Sequence, residues 1–189
     1  MEPWQIAILA AGGVALIFIV WLAATYNRFA RLRVHVRETW HDIDVELKRR
    51  YDLIPNLVEV VRGYATHEQS LFEKVAEARA RAAGNHGPQD SQAADENAML
   101  GVVGRLFAVA EAYPELRANE RYADLQRQLA LTEDRIAASR RFYNANVREM
   151  NQLRSTFPTN VVGSMFGFEP ERFFELDQAV ERVTPRVNL

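Results

Sequence analysis

Apolar positions divide the chain into two regimes. From Ile6 to Ala24 (IAILAAGGVALIFIVWLAA) 19 consecutive residues carry no charge, whereas all 23 Lys and Arg and 24 of the 25 acids lie beyond that run. At about 1.5 Å per helical residue the run reaches roughly 30 Å, the hydrocarbon thickness of a bilayer. Beyond it, apolar residues recur at steps of three and four. Phe29, Leu32, Val36, Trp40, Ile43 and Leu47 predict a helix that continues out of the apolar run. Pro55, in YDLIPNL, predicts an end or kink near Leu53 and the start of a second helix, striped by Leu57, Val61, Tyr64, Leu71, Val75 and Ala78 and ending near Gly84. Gly84 to Gln92 (GNHGPQDSQ) reads as a loop, with Ser91 opening a third helix that carries Leu100, Val103, Phe107 and Ala110 and stops at Pro114. In the fourth, Tyr122, Leu125, Leu129, Thr132, Ile136, Ser139, Tyr143, Asn146, Met150 and Leu153 form a coiled-coil-like seam of roughly four heptads.

No strand-like alternation of any length is present, so the expected fold is all-α. The expectation is a single transmembrane helix (1–26), an antiparallel up-and-down four-helix bundle (27–156), and a C-terminal aromatic-rich tail (157–189) that docks on the bundle. Pro158 ends the fourth helix, and the tail carries Met165, Phe166, Phe168, Phe173 and Phe174, with a short helix expected from Glu171 to Val183. A tail exposed to the membrane surface or to a partner is the alternative reading. Glu68, Thr132, Ser139 and Asn146 interrupt apolar seams, and buried polar groups need partners. Arg49 or Arg50 is the expected partner of Glu68 across the turn at Pro55.

The flanks decide what the apolar run is. A cleaved signal wants a basic start, but the residues before Ile6 include Glu2 and no Lys or Arg, while Trp4, Trp21 and Tyr26 sit where interfacial aromatics anchor a retained span. The run from Ile6 to Ala24 is therefore the expected contact with the lipid bilayer. Arg28, Arg31, Arg33 and Arg37 all precede the next acid, Glu38, and by the positive-inside rule they place the N-terminus outside and the bundle in the cytoplasm. The same arginines could touch anionic lipid. Ala7, Ala11 and Ala15 repeat every four residues beside Gly12 and Gly13, a pattern that suits either a homo-oligomer packed through small residues or a simple Ala-rich span.

Composition narrows the chemistry. The 23 bases nearly balance the 25 acids, which leaves no global electrostatic case for binding nucleic acid. Zero Cys removes disulfides, thiol catalysis, thiolate zinc and an N-terminal lipid-modified Cys. His35, His41, His67 and His86 form no i, i+4 pair and no HExxH, and a single Glu-x-x-His, Glu38 to His41, stands without the second such motif that di-iron bundles require. GVVG at Gly101 to Gly104 lies in a helical pattern and not after a strand, so it is not a phosphate loop. The expectation is a non-enzyme with no catalytic residue, no cofactor and no metal ligand.

Several segments carry a resemblance. They are IDVELKRRYDLIPNLVEVVRGYATHE from Ile43, EARA at Glu77, EAYPELRANE from Glu111, LQRQLALTEDRIAASRRFYNANVREMNQ from Leu125, and the FPTN and FGFEPERFFE pieces of the tail. Together they resemble the LemA family of bacterial membrane proteins and cover most of residues 26 to 175. The resemblance implies an N-terminal span followed by an up-and-down helical bundle, placed in the bacterial inner membrane. It brings no catalytic residues onto Arg49, Arg50, Asp52 or Pro55. It also implies a role beside other membrane proteins, membrane zinc metalloproteases among them, with one branch of the family serving magnetosome membranes. A scaffold or adaptor for a membrane protein partner is the function it favours, with a lipid-interacting envelope-remodelling or membrane-stress factor as the alternative.

Overall fold

A computed structural model describes residues 2–176, and within them every regular element is helical. The order is α1 (Pro3–Arg62), α2 (Gln69–Gly84), α3 (Gln89–Glu111), α4 (Pro114–Arg117), α5 (Glu120–Ser155) and α6 (Thr159–Met165). The N-terminal part of α1 is long and apolar enough to cross a membrane, and none of its most apolar stretch is buried in the protein. The Cα positions fall into two compact units. One comprises the chain up to Glu38 with Ala145–Glu171, and the other Thr39–Asn144 with the stretch from Arg172.

Helix α1 is 60 residues long and does not stop at Pro55. The expected break fails for a local reason. A proline at 55 offers no N–H to the carbonyl of Tyr51 four residues back, and such an orphaned acceptor ordinarily ends or kinks a helix. Here Arg79 of α2 donates its Nε–H to that same carbonyl at 2.6 Å, so the missing helical bond is replaced from outside. The stripe then runs on through Ile54, Leu57 and Val61, all buried, and the real break comes at Gly63 to Glu68.

The other boundaries shift by smaller amounts. Helix α3 opens at Gln89 after Pro88, not at Ser91, whose hydroxyl instead accepts a hydrogen bond from Asn85. Proline at Pro114 does stop α3, and it also begins the one-turn α4, where its missing N–H costs nothing. Helix α5 spans 36 residues, and of the expected seam Tyr122, Leu125, Leu129, Thr132, Ile136, Tyr143, Met150 and Leu153 are buried, while Ser139 and Asn146 are half-buried and Val147 takes the inner place beside Asn146. Thr132 satisfies its hydroxyl on the Gln128 carbonyl of its own helix, 2.8 Å away, and so needs no ligand. In the tail, α6 occupies a stretch where no helix was expected. Glu171 to Leu176 is not helical, and the rest of the expected helix to Val183 lies outside the described residues.

In the first unit, Phe29, Leu32, Met150, Leu153, Val162 and Phe168 form one buried cluster, against which Trp21 and Leu22 pack. Phe168 stacks on Phe29 with ring centroids 4.8 Å apart, and the Arg33 guanidinium lies 4.9 Å from the centre of the same ring. Two glycines make this possible. Gly167 takes φ +66°, a left-handed turn open to glycine, and Phe166 and Phe168 on either side of it both reach Tyr26. At Gly163 a side chain would sit 2.7 Å from Arg154 Cδ and 3.0 Å from Phe29 Cζ, so α6 approaches its neighbours as closely as backbone allows.

Candidate functional site: a buried charge cluster, an apolar groove and a clamped tail

In the second unit, three helices each put a charged side chain on the inner face. Arg50 stands on the α1 stripe between Leu47 and Ile54, Glu96 on the α3 stripe between Gln92 and Met99, and Glu133 on α5 beside Thr132. Arg50 is 1% exposed and Glu96 is fully buried. The Arg50 guanidinium donates through Nη2 to Glu96 and through Nη1 to both carboxylate oxygens of Glu133, at 2.9 Å each. Tyr51 donates its hydroxyl to the other oxygen of Glu96. One cation thus faces two carboxylates. Burial pushes the Glu96 carboxyl above the usual range, against the pull of Arg50 and the Tyr51 hydrogen bond. For Arg50, burial opposes the charge, but Glu133 and Glu96 outweigh it and hold the guanidinium above its ordinary value. Burial and then the Glu96 charge raise the Tyr51 phenol. The carboxylates, the phenol and both Arg50 Nη groups are paired with one another, while the buried Arg50 Nε–H has no hydrogen-bond partner.

Arg50 was one of two arginines singled out from the sequence, but its partners are Glu96 and Glu133, not Glu68. Glu68 caps the start of α2 with its backbone carbonyl, which accepts from Leu71 and Phe72. Arg49 is exposed. The missed signal was an acid at an inner position of an apolar stripe: Glu96 follows Gln92 and precedes Met99 and Val103 at steps of three and four, as Arg50 does between Leu47 and Ile54.

Next to this cluster, the stretch of α1 around Pro55 and the facing side of α2 leave a groove of about 330 Å³. Ile54, Pro55 and Val58 line one wall and Phe72, Val75 and Ala76 the other. Arg62 lies 5.2 Å from the centre of the Phe72 ring and forms part of the rim. The Arg79 side chain that caps the Tyr51 carbonyl also lines this groove, so Pro55 is both the reason for Arg79 and part of the surface beside it.

The tail is held by its backbone. In the first unit Asn151 exchanges two hydrogen bonds with Glu171, side-chain amide to carbonyl at 2.9 Å and backbone N–H to side-chain oxygen at 2.8 Å. Arg154 adds a bond from Nε to the Phe168 carbonyl at 2.8 Å. In the second unit Asn144 does the same with Phe174, at 2.9 and 3.0 Å. Tyr143 donates to the Arg172 carbonyl at 2.7 Å and Arg140 to that of Leu176 at 3.2 Å. An asparagine amide offers a donor and an acceptor side by side, the pattern a neighbouring β-strand would present. The RRFYNANVREMNQ segment is thus a rail for an extended chain as well as a seam. Phe174 closes the contact, buried against Trp40 at 5.3 Å between centroids. Phe168 and Phe174 are buried, whereas Met165, Phe166 and Phe173 stay exposed.

Among the described residues no group of three or more His, Asp or Glu side chains has the spacing of a metal site.

Magnetosome protein MamQ 2 and magnetosome protein MamQ 1 of Paramagnetospirillum magneticum are each 27% identical to the protein over 197 residues, covering 90% of this chain and 72% of theirs. Protein LemA of Metamycoplasma hominis is 24% identical over 157 residues, 83% of this chain and 71% of its own. The family model described as LemA family matches residues 39–189, which include the charge cluster, the groove and both asparagine clamps. The chain belongs to the LemA family, and its long apolar N-terminal helix and its relatives mark it as membrane-associated.

Proposed function

We propose that this chain is a non-enzymatic, single-pass membrane protein whose helical unit is a scaffold or adaptor for membrane-associated protein partners. In this reading Ile6 to Ala24 span the inner membrane with the N-terminus outside. α1 beyond Thr39, α2, α3 and the first part of α5 pack as an antiparallel up-and-down four-helix bundle on the cytoplasmic side. The observation that carries it is the fate of the polar groups in the second unit. Arg50, Glu96, Glu133 and Tyr51 are paired with one another, while the surface beside them is a preformed apolar groove rimmed by Glu59, Arg62 and Arg79. Preformed apolar surface rimmed by charge suits recognition of a protein segment better than turnover of a substrate.

The test is photocrosslinking in native membranes with the full chain. A crosslinker at Val58, in the groove, is expected to trap a discrete partner, and Ala76→Trp, which fills the groove, is expected to abolish that adduct while leaving thermal stability unchanged. An adduct indifferent to Ala76→Trp removes the groove as the contact surface. Hydrolysis of peptides or phosphoesters by the purified chain, lost in a point variant, would overturn the non-enzymatic reading.

A further inference from the structure

Residues 155 to 168 (STFPTNVVGSMFGF) are 14 consecutive residues without a charge, in a chain that is 25% charged. Apart from the apolar run of α1, such a stretch is out of keeping with the rest of the chain. It contains α6, and its exposure is unusual. Phe157 is 78% exposed, Val161 56% and Met165 63%. These positions are four residues apart, so Val161 and Met165 share one face of α6, and Val162, about 100° round the helix from Val161, is buried. The helix therefore carries apolar side chains on both sides: Val162 meets the protein, and Val161 and Met165 face outward.

The place of this face is set by contacts within the first unit. The cluster that holds Val162 and Phe168 also takes up Trp21 and Leu22, which belong to the last turns of the apolar run, and Tyr26 meets Phe166 edge-on at 4.9 Å. From Leu22 to Phe29 is about 10 Å of helix. Within that interval the apolar run gives way to Arg28, with Arg31 and Arg33 just beyond it, the level of the headgroup boundary in a spanning helix. Gly163 permits the close approach that keeps α6 at this level.

We infer that Phe157, Val161 and Met165 are a second membrane contact, a foot that sits in the headgroup and acyl boundary of the bilayer beside the point where α1 leaves it. The occupant of the exposed face is lipid. Aromatic and apolar side chains at this depth, flanked by the cations Arg28, Arg33 and Arg154, have the composition of an interfacial segment. The foot would fix the rotation and tilt of α1 about the membrane normal, which a lone span leaves free. The inference rests on reading Ile6 to Ala24 as a span.

The chain has no native Cys, so single-cysteine labelling is clean. The full chain in phosphatidylcholine and phosphatidylglycerol vesicles carries an environment-sensitive fluorophore at Leu16→Cys, Val161→Cys or Met165→Cys, all exposed on the protein. Labels at 161 and 165 are expected to be blue-shifted, quenched about twofold by a spin label near the headgroup end of the acyl chain, and shielded from aqueous iodide. Quenching by iodide at 161 and 165, with lipid quenching retained at 16, overturns the foot while leaving the span intact. Shielding from both quenchers at 161 and 165 also overturns it, since protein and not lipid then covers the face. Iodide quenching at 16 overturns the span and the foot together. Gly163→Leu, which levers α6 away from Phe29, is expected to restore iodide access at 161 without changing the label at 16.

Discussion

The two compact units place their polar and apolar residues in opposite ways. The first is held by aromatic contacts, Phe29 on Phe168 and Tyr26 on both Phe166 and Phe168, and leaves Phe157, Val161 and Met165 on its surface. Its ion pairs include Arg28 with Glu149 at 3.0 Å and His35 with Glu38 at 3.2 Å, each exposed on both sides. The second unit buries an arginine and a glutamate completely. Exposed pairs of the first kind contribute little to stability, whereas a buried charge cannot lose its partner cheaply. The contrast is what the proposed bilayer contact of the first unit requires. Apolar surface is tolerable where the solvent is lipid, and buried charge is tolerable where the protein itself supplies the counter-ions.

The largest effect should come from breaking the buried cluster. Arg50→Met leaves Glu96 buried without its cation and should destabilise the chain by about 3 to 5 kcal/mol in urea unfolding of the detergent-solubilised protein. Adding Glu96→Leu and Tyr51→Phe should recover most of that loss, because an apolar core of similar volume replaces a costly ion pair. In contrast, Glu149→Gln in the first unit should change stability by less than about 0.5 kcal/mol. If Arg50→Met proves as mild as Glu149→Gln, the two units do not differ in the way described.

The asparagine clamps sharpen the comparison, since each unit contains one. Asn144→Ala and Asn151→Ala each remove a donor and an acceptor from the tail backbone and should cost about 2 to 3 kcal/mol locally. Hydrogen exchange resolves them: Asn144→Ala should speed exchange of the Phe174 amide and Asn151→Ala that of Glu171, because those amides donate to the lost oxygens. Equal protection of both amides in both variants would show that packing of Phe174, not the amide rail, holds the chain.

A smaller effect tests why α1 passes Pro55. Arg79→Met removes the donor to the Tyr51 carbonyl and should cost about 1 to 2 kcal/mol. In a Pro55→Ala background, an N–H at 55 can bond that carbonyl within the helix, so the same substitution should cost less than half as much. Additivity of the two changes would sever the link between the proline and the arginine.

That link explains what could be read along the chain and what could not. The α5 seam, the end of α2 at Gly84 and the stop at Pro114 follow from periodicity and breaker residues, which act within a turn or two. The continuity of α1 depends on Arg79, 28 residues from the carbonyl it caps, and local rules carry no trace of it. Arg50 was visible as a cation on an apolar stripe, but a partner close in sequence, Glu68, displaced the true one, 46 residues away. Arg140, Asn144, Asn151 and Arg154 form a polar stripe off the main seam of α5. The seam alone drew notice, because a polar stripe on a helix ordinarily faces water and here part of it holds a backbone.

The last prediction is a pH dependence of the second unit. Tyr122 lies buried at the start of the α5 seam, and burial, with a further push from Glu111, raises its phenol from 10.0 to about 12. A phenol whose folded value is raised contributes stability that is complete below its unfolded value and is lost as pH rises through the folded one. Unfolding free energy should therefore decline between about pH 10 and about pH 12. Tyr122→Phe cannot ionise, and it should flatten that decline by about 1 kcal/mol across the interval without affecting stability at neutral pH. Tyr51, shifted in the same direction by burial and by Glu96, keeps part of the slope in the variant. A decline of unchanged steepness in Tyr122→Phe would assign the alkaline limb to Tyr51 and the charge cluster. That outcome would make the buried ions, not the α5 seam, the part of the second unit that fails first in base.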